Sequence, residues 1–385
     1  MSSRYSVPAL VTPLSISGLE AIRLLAREGI RVLGYDENKH AIGYYSRYCL
    51  PVDDDLLVSS IGRAAVAFPT SDDAVWRLAR AEKRSRLSLK WVRPPDNLLE
   101  SCIDKLNLSL WAQEYGISVP RSWALEDIGC TINSLTYPVV VKPRCQLGVK
   151  QERTRELLAG RKVILIRDAN EMRTWVKDLG DDVNLWIVQE FLHLDRGNPP
   201  IYIAGYISRQ GESVAFSHRK LYTSPPEAGV GVYIESAVCE QEEERILNWL
   251  IQSGYRGIFG VEMLYHSEGG YRLVDFNPRF GIGDTIGLAF GVNLPVISYL
   301  DAIGEQIAIE KHIPTQPVRW MAEFWYLGVG MRLLREHKIR LKAFIRSWRY
   351  RHLWFGVWDL KDPVPFVYEL LRVLLAIVKG KRGGQ

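Results

Sequence analysis

The chain has 385 residues, 47% hydrophobic and 24% charged, a soluble globular mixture long enough for two or three domains. Those numbers exclude a small disulfide-stapled protein and a disordered one. The net charge of +5 is uneven: residues 311–385 carry 15 Lys and Arg against 5 Asp and Glu, which leaves residues 1–310 net acidic.

The five cysteines, Cys49, Cys102, Cys130, Cys145 and Cys239, lie far apart with no C-x-x-C spacing, so reduced thiols in a cytosolic protein are expected. The longest apolar runs, such as residues 374–378, are far short of the roughly 18 needed to cross a bilayer. The opening residues lack a signal pattern. The expectation is a cytoplasmic protein without a membrane span.

In chain order, residues 6–11 read as a strand. A helix follows with Leu19, Ile22, Leu25 and Ala26 on one face, ending near Gly29, and residues 31–35 form a second strand. An apolar run ending at Pro69 feeds a helix over residues 73–83, with Thr70, Ser71 and Asp72 as its capping signal. This β-α-β opening predicts a parallel, Rossmann-like α/β domain over residues 1–96. Gly18 alone stands where a dinucleotide fingerprint needs three glycines, so no NAD site is expected.

Pro94-Pro95 marks the boundary, since consecutive prolines interrupt both helices and ladders. Beyond it come a helix over residues 106–115, strands over 138–142 and 186–190, an extended stretch over 202–208, and paired runs over 259–264 and 272–276. The pattern is α+β over residues 97–313. Residues 314–385 form a basic, Trp-rich C-terminal extension.

The paired runs flank Ser267-Glu268-Gly269-Gly270, a hairpin signal. A turn centred between Glu268 and Gly269 places Glu262 directly opposite Asp275. Asn277, two residues further along, projects from the same face. Opposed like charges destabilise a sheet, so the arrangement calls for a cation. Mg2+ suits carboxylate oxygens and completes its shell with substrate phosphates, which implies a nucleotide; Mn2+ is the substitute. Arg279 stands where a guanidinium reaches a phosphate or an oxyanion. A one-residue slip would instead leave a solvated hairpin with a chance acid pair.

Glu262 followed by Asp275-Phe-Asn277-Pro-Arg279 resembles the metal-binding strands of the ATP-grasp superfamily. Asp104-Lys105 resembles its Asp-Lys motif, and Tyr137-Pro-Val-Val-Val-Lys142-Pro143 resembles the strand whose lysine contacts ATP phosphates. Ile187-Val-Gln189-Glu190-Phe191-Leu192 is similar to the hinge strand that binds adenine. The resemblance covers roughly residues 97–305, and the opening region resembles the domain that commonly precedes this core. It implies ATP held by Lys105, Lys142, Gln189, Glu190, Phe191 and Leu192, with the Glu190 carboxylate on the adenine amine; Asp195 reads equally as a ribose contact and as a solvated loop acid. Mg2+ would be held by Glu262, Asp275 and Asn277, with Arg279 on developing charge.

Two departures stand out. The phosphate loop, Arg144-Cys-Gln-Leu-Gly148-Val, has a single glycine where the family has several, and Asp275 replaces a more usual glutamate. The segment Ser217-His218-Arg219-Lys220-Leu-Tyr222 resembles the region facing the acyl phosphate in carboxylate–amine ligases of this superfamily. Arg219 and Lys220 are its basic candidates. Neighbouring strand residues point oppositely, so at most one of them enters the site directly, and Arg219 is preferred. His218 reads as a structural histidine and Cys145 as a bland loop thiol.

The resemblance implies an enzyme that activates a small carboxylate as an acyl phosphate and joins it to an amine. A thiol acceptor and a catalytically silent ATP-binding scaffold are the alternatives. The tail mixes basic residues with Trp, Leu and Phe over residues 331–382. That composition suits a structural cap, peripheral contact at the inner face of a membrane, a cover for the site or a dimer face. A homo-oligomer is left open. No recognition motif supports a nucleic-acid partner.

Overall fold

A computed structural model of the chain describes residues 4–52, 65–84, 89–145, 152–158, 162–192, 197–225, 229–267 and 269–382. The first part is a five-stranded parallel sheet in the order β3-β2-β1-β4-β5, with β1 Ala9–Thr12, β2 Val32–Gly34, β3 Cys49–Pro51, β4 Ala65–Pro69 and β5 Leu89–Lys90. Its helices are α1 Ile16–Arg27 and α2 Asp72–Arg84. Parallel strands need covered faces, and the near-continuous apolar character of β1 and β4 meets that need.

Helices α3 Asp96–Ile103 and α4 Lys105–Glu114 follow the two prolines. The Asp104 side chain accepts from the backbone N–H groups of Leu106 and Asn107, capping α4 and leaving Lys105 as its first residue. A four-stranded antiparallel sheet comes next, ordered β6-β9-β7-β8, with β6 Ser122–Ala124, β7 Val139–Pro143, β8 Ile164–Ile166 and β9 Trp186–Glu190. Helices α5 Glu152–Leu158 and α6 Ala169–Leu179 accompany it.

The largest sheet has seven strands ordered β14-β13-β10-β11-β12-β15-β16. These are β10 Ile201–Ile207, β11 Ser213–Ser224, β12 Val230–Ala237, β13 Gly257–Tyr265, β14 Tyr271–Asn277, β15 Arg319–Met321 and β16 Leu353–Phe355. One face packs Ile201, Ile203, Val261 and Phe276 with α4 and with α7 Glu240–Gln252. The other packs Tyr206, Phe216 and Ile234 against α1 and α8 Leu294–Ile303. Strands β15 and β16, contributed by the basic C-terminal region, complete the sheet. Helices α9 Glu323–Arg335, α10 Leu341–Trp348 and α11 Val364–Arg382 surround them.

Candidate active site

The β13–β14 hairpin has the expected register where it matters: Glu262 pairs with Asp275, Val261 with Phe276 and Gly260 with Asn277. Toward the turn Met263 pairs with Leu273, so a bulge at Val274 shifts the ladder by one residue. The two carboxylates and the Asn277 amide therefore share one face. Tyr202 of β10 lies opposite Glu262, and His218 of β11 opposite Tyr202, extending the same row across the sheet.

Opposed carboxylates need neutralising, and two lysines do so. Lys105 Nζ sits 2.9 Å from Asp275 Oδ1, and Lys220 Nζ sits 2.6 Å from Glu262 Oε1. The like charge that called for a cation is balanced here by ammonium groups. Burial pushes the Asp275 carboxyl up, but Lys105, Lys162 and Lys142 outweigh it and hold the group well below the usual carboxylate range. Lys142, reaching from β7 to donate to the Val274 carbonyl at 3.2 Å, is pulled down to about 7 by burial and then by Lys105. Burial also lowers Lys220, against the pull of Glu262.

The preference for Arg219 over Lys220 is reversed. Strand β11 pairs Lys220 with Ile234 and Arg219 with Ile201 and Glu235, which turns Arg219 to the other face, where it is exposed. Lys220 is the buried one, over the Tyr202 ring and against Glu262. His218, two residues before Lys220, is stacked on Tyr202 with ring centroids 5.1 Å apart. Burial lowers it to about 3, and neither ring nitrogen finds a hydrogen-bond partner among the described residues. A histidine held neutral in this way shuttles no protons at ordinary pH.

Arg279 is anchored on two sides. Its Nε donates to Asp72 Oδ1 at 2.8 Å, and a terminal nitrogen donates to Asn277 Oδ1 at 2.9 Å. Asp72 belongs to the first turn of α2, so the opening α/β part places a carboxylate beside the acid cluster. Capping chemistry explains Asp72 in the sequence, and no local signal marks its second role. Lys162, just before β8, is a further cation that pattern reading missed.

On the smaller sheet, Gln189 is buried and donates to Ser122 Oγ at 2.9 Å. Glu190 does not face outward for an adenine amine. Its Oε2 lies 2.9 Å from an Arg272 guanidinium nitrogen and accepts from the Arg121 N–H at 3.1 Å. Phe191 is half-buried and Leu192 buried just beyond β9. Arg144 is paired with Asp104, and its carbonyl accepts the Lys105 N–H at 2.8 Å, which ties the root of the phosphate loop to α4. Cys145 follows, half-buried and bridged to Asp104, while the loop from residue 146 on, Gly148 included, and Asp195 lie outside the described residues.

The donor set fits Mg2+, because all of it is hard oxygen on one face beside three lysines suited to polyphosphate. Among the described residues no three His, Cys, Asp or Glu side chains are placed to cage an ion alone. An ion here would keep waters and phosphates in its shell, which is how Mg2+ is usually held.

No family model and no curated protein matches the chain. Solved structures do share its fold. The N5-carboxyaminoimidazole ribonucleotide synthetase of Thermus thermophilus superposes with a TM-score of 0.62 at 16% identity, over 81% of this chain and 82% of that one. The N5-carboxyaminoimidazole synthetase of Staphylococcus aureus, complexed with ADP, gives 0.64 at 13% identity, over 84% and 83%. The biotin carboxylase domain of the Hydrogenobacter thermophilus 2-oxoglutarate carboxylase, complexed with MgADP, ADP and bicarbonate, gives 0.62 at 12% identity, over 81% and 73%.

Proposed function

From the ATP-grasp fold that the chain adopts, we propose that it is a cytoplasmic, ATP-dependent ligase that activates a small carboxylate as an acyl phosphate and joins it to an amine. The observation that carries this reading is the convergence, on one sheet face, of Glu262, Asp275 and Asn277 with Lys105, Lys142, Lys220 and Arg279. Charge of both signs where two sheets meet suits phosphoryl transfer, in which positioning and neutralisation do the catalysis. The divisions after residues 96 and 313 are part of the proposal.

In the chemistry proposed, a carboxylate oxygen of the acid attacks the γ-phosphorus while the bond to the β-bridging oxygen breaks. The amine nitrogen then attacks the acyl carbon, phosphate leaves with its oxygen, and the amine gives up a proton. Lys105, Lys142 and Lys220 bind and orient the phosphates, and Lys142 becomes fully charged when a phosphate joins its neighbours. Arg279, held by Asp72, steadies the oxyanion. Glu262, Asp275 and Asn277 would hold Mg2+, with Mn2+ as substitute, which when bound neutralises charge on the phosphate oxygens. Adenine would sit along Gln189 to Leu192, the end of β9 and the two residues beyond it, through backbone groups, since the Glu190 carboxylate is engaged by Arg272.

A second reading, an ATP-binding scaffold without turnover, has one observation in its favour: Lys105 and Lys220 already neutralise both carboxylates. Phosphate release from ATP, screened over pooled acids and amines with bicarbonate among the acids, separates the two. Stimulation by one acid–amine pair, abolished in Asp275→Ala/Asn277→Ala, is expected of the ligase. ADP binding without stimulation by any pair overturns it in favour of the scaffold.

A further inference from the structure

Helix α11 is held to the body along one side. The Tyr368 ring stacks on Tyr45 with centroids 3.6 Å apart, its hydroxyl donates to the His40 carbonyl, and Phe366 packs between Phe324 and Trp358. Glu369, on the same side, is buried. At 3.6 residues per turn, Val364, Val367, Leu370, Leu371, Leu374, Leu375 and Val378 fall on the opposite face in an arc of about 140°. All seven are exposed, between 38% and 61%. Leu360, 83% exposed, stands in the turn just before the helix. An apolar stripe of this length, turned away from the body, is an interaction surface rather than scattered surface leucines.

The charge of the same C-terminal region narrows the occupant. Among the described residues between Arg332 and Arg372, ten Lys and Arg are exposed against one exposed acid, Glu336, which pairs with Arg332 and Lys338, while Arg372 pairs with Glu369. The other acids of the region are turned inward or paired. Glu323 accepts from the Val357 and Trp358 N–H groups, Asp362 pairs with Arg23 at 2.9 Å, and Asp359 pairs with Arg27. The outer surface of the C-terminal region is therefore strongly positive, with Arg335, Arg340, Lys342, Arg346, Arg349, Arg351 and Lys361 exposed. A second copy of the chain would bring two such surfaces together, which like charge opposes. Nucleic acid would satisfy the charge but leave the aliphatic stripe in water.

We propose that α11 lies flat on an anionic lipid surface, with the stripe from Val364 to Val378 in the acyl boundary and the basic C-terminal region supplying attraction to the headgroups. Two signals together, apolar insertion and a polybasic surface, are what stable peripheral binding needs. No described single helix is long and apolar enough to cross a membrane, so α11 lies on the surface rather than through it. The proposal is independent of the ligase reading.

The test uses the full chain with sedimenting phosphatidylcholine vesicles, with and without phosphatidylserine. Binding is expected only with phosphatidylserine, and it should weaken as salt rises. Leu371→Glu/Leu375→Glu should lower the partition coefficient by at least tenfold, and Lys342→Glu/Arg346→Glu should lower it and flatten its salt dependence. All four side chains are exposed, so thermal melting should be unchanged. Three outcomes overturn the proposal: no sedimentation at low salt, sedimentation that RNA competes away and the leucine variant does not alter, or a solution dimer that the leucine variant dissociates without vesicle binding.

Discussion

Arg279 shows how much of the site is held from a distance. Its guanidinium is nearly buried, and the Asp72 carboxylate that balances it comes from the first turn of α2. Removing one partner of such a pair strands a charge, so Asp72→Ala should cost about 3 kcal/mol in chemical unfolding. Asp72→Asn keeps a hydrogen bond and should fold, while kcat for stimulated phosphate release falls about tenfold with KM for ATP little changed. A fall in ATP affinity instead would place Asp72 at the nucleotide. His218 gives the second prediction. Its pKa falls from the 6.5 of an unfolded chain to about 3 in the folded protein. Between those values only the unfolded state binds the proton, so stability is full above pH 6.5 and drains as pH falls toward 3. At pH 5 the loss is roughly 2 kcal/mol. His218→Phe keeps a ring against Tyr202 and removes two unpartnered nitrogens. Its unfolding free energy in urea should fall by about 2 kcal/mol less than the wild type's between pH 8 and pH 5; equal falls would mean His218 is solvated.

At the scale of elements, the hairpin was legible because a glycine turn signal and period-two alternation act locally, and together they placed Glu262 opposite Asp275. What alternation leaves open is which face of β11 meets the hairpin. Its phase is set by pairing with β10 and β12, and for that reason Lys220 rather than Arg219 faces Glu262. The pairing of Lys105 with Asp275, 170 residues away in sequence, leaves no local trace either. Gly260 shows how tightly the row is packed: a Cβ there would lie 1.8 Å from the Tyr202 hydroxyl and 2.5 Å from its ring carbon. Tyr202 in turn reaches Asn277 at 3.4 Å. Gly260→Ala should therefore destabilise by about 1–3 kcal/mol and shift the Asn277 amide. Adding Tyr202→Leu, which clears the space, should restore part of the stability. No recovery in thermal melting would show that backbone strain, and not the phenol, limits this position.

Over the whole molecule, the region from Pro314 onward departs most from what its sequence suggests. Its strands β15 and β16 are three residues each, too short for periodicity to reveal, yet they extend the sheet that carries the site. Trp320 and Met321 are fully buried, and Trp320 Nε1 donates to Glu20 of α1 at 2.8 Å. Arg23, also in α1, donates to the Asp362 carboxylate and to the Val357 carbonyl, both at 2.9 Å, while Asp362 accepts from Ser46 and from the Arg47 N–H. The C-terminal residues thus bind the opening α/β part to the largest sheet, and their loss would uncover core on both. A chain ending at residue 313 should be insoluble or lack a cooperative melt. One ending at residue 363 loses α11 but keeps Asp362 and β16, so it should melt cooperatively a few degrees lower. If instead the chain ending at 313 folds and binds ADP, the C-terminal strands are an accessory and the site needs only the sheets before them.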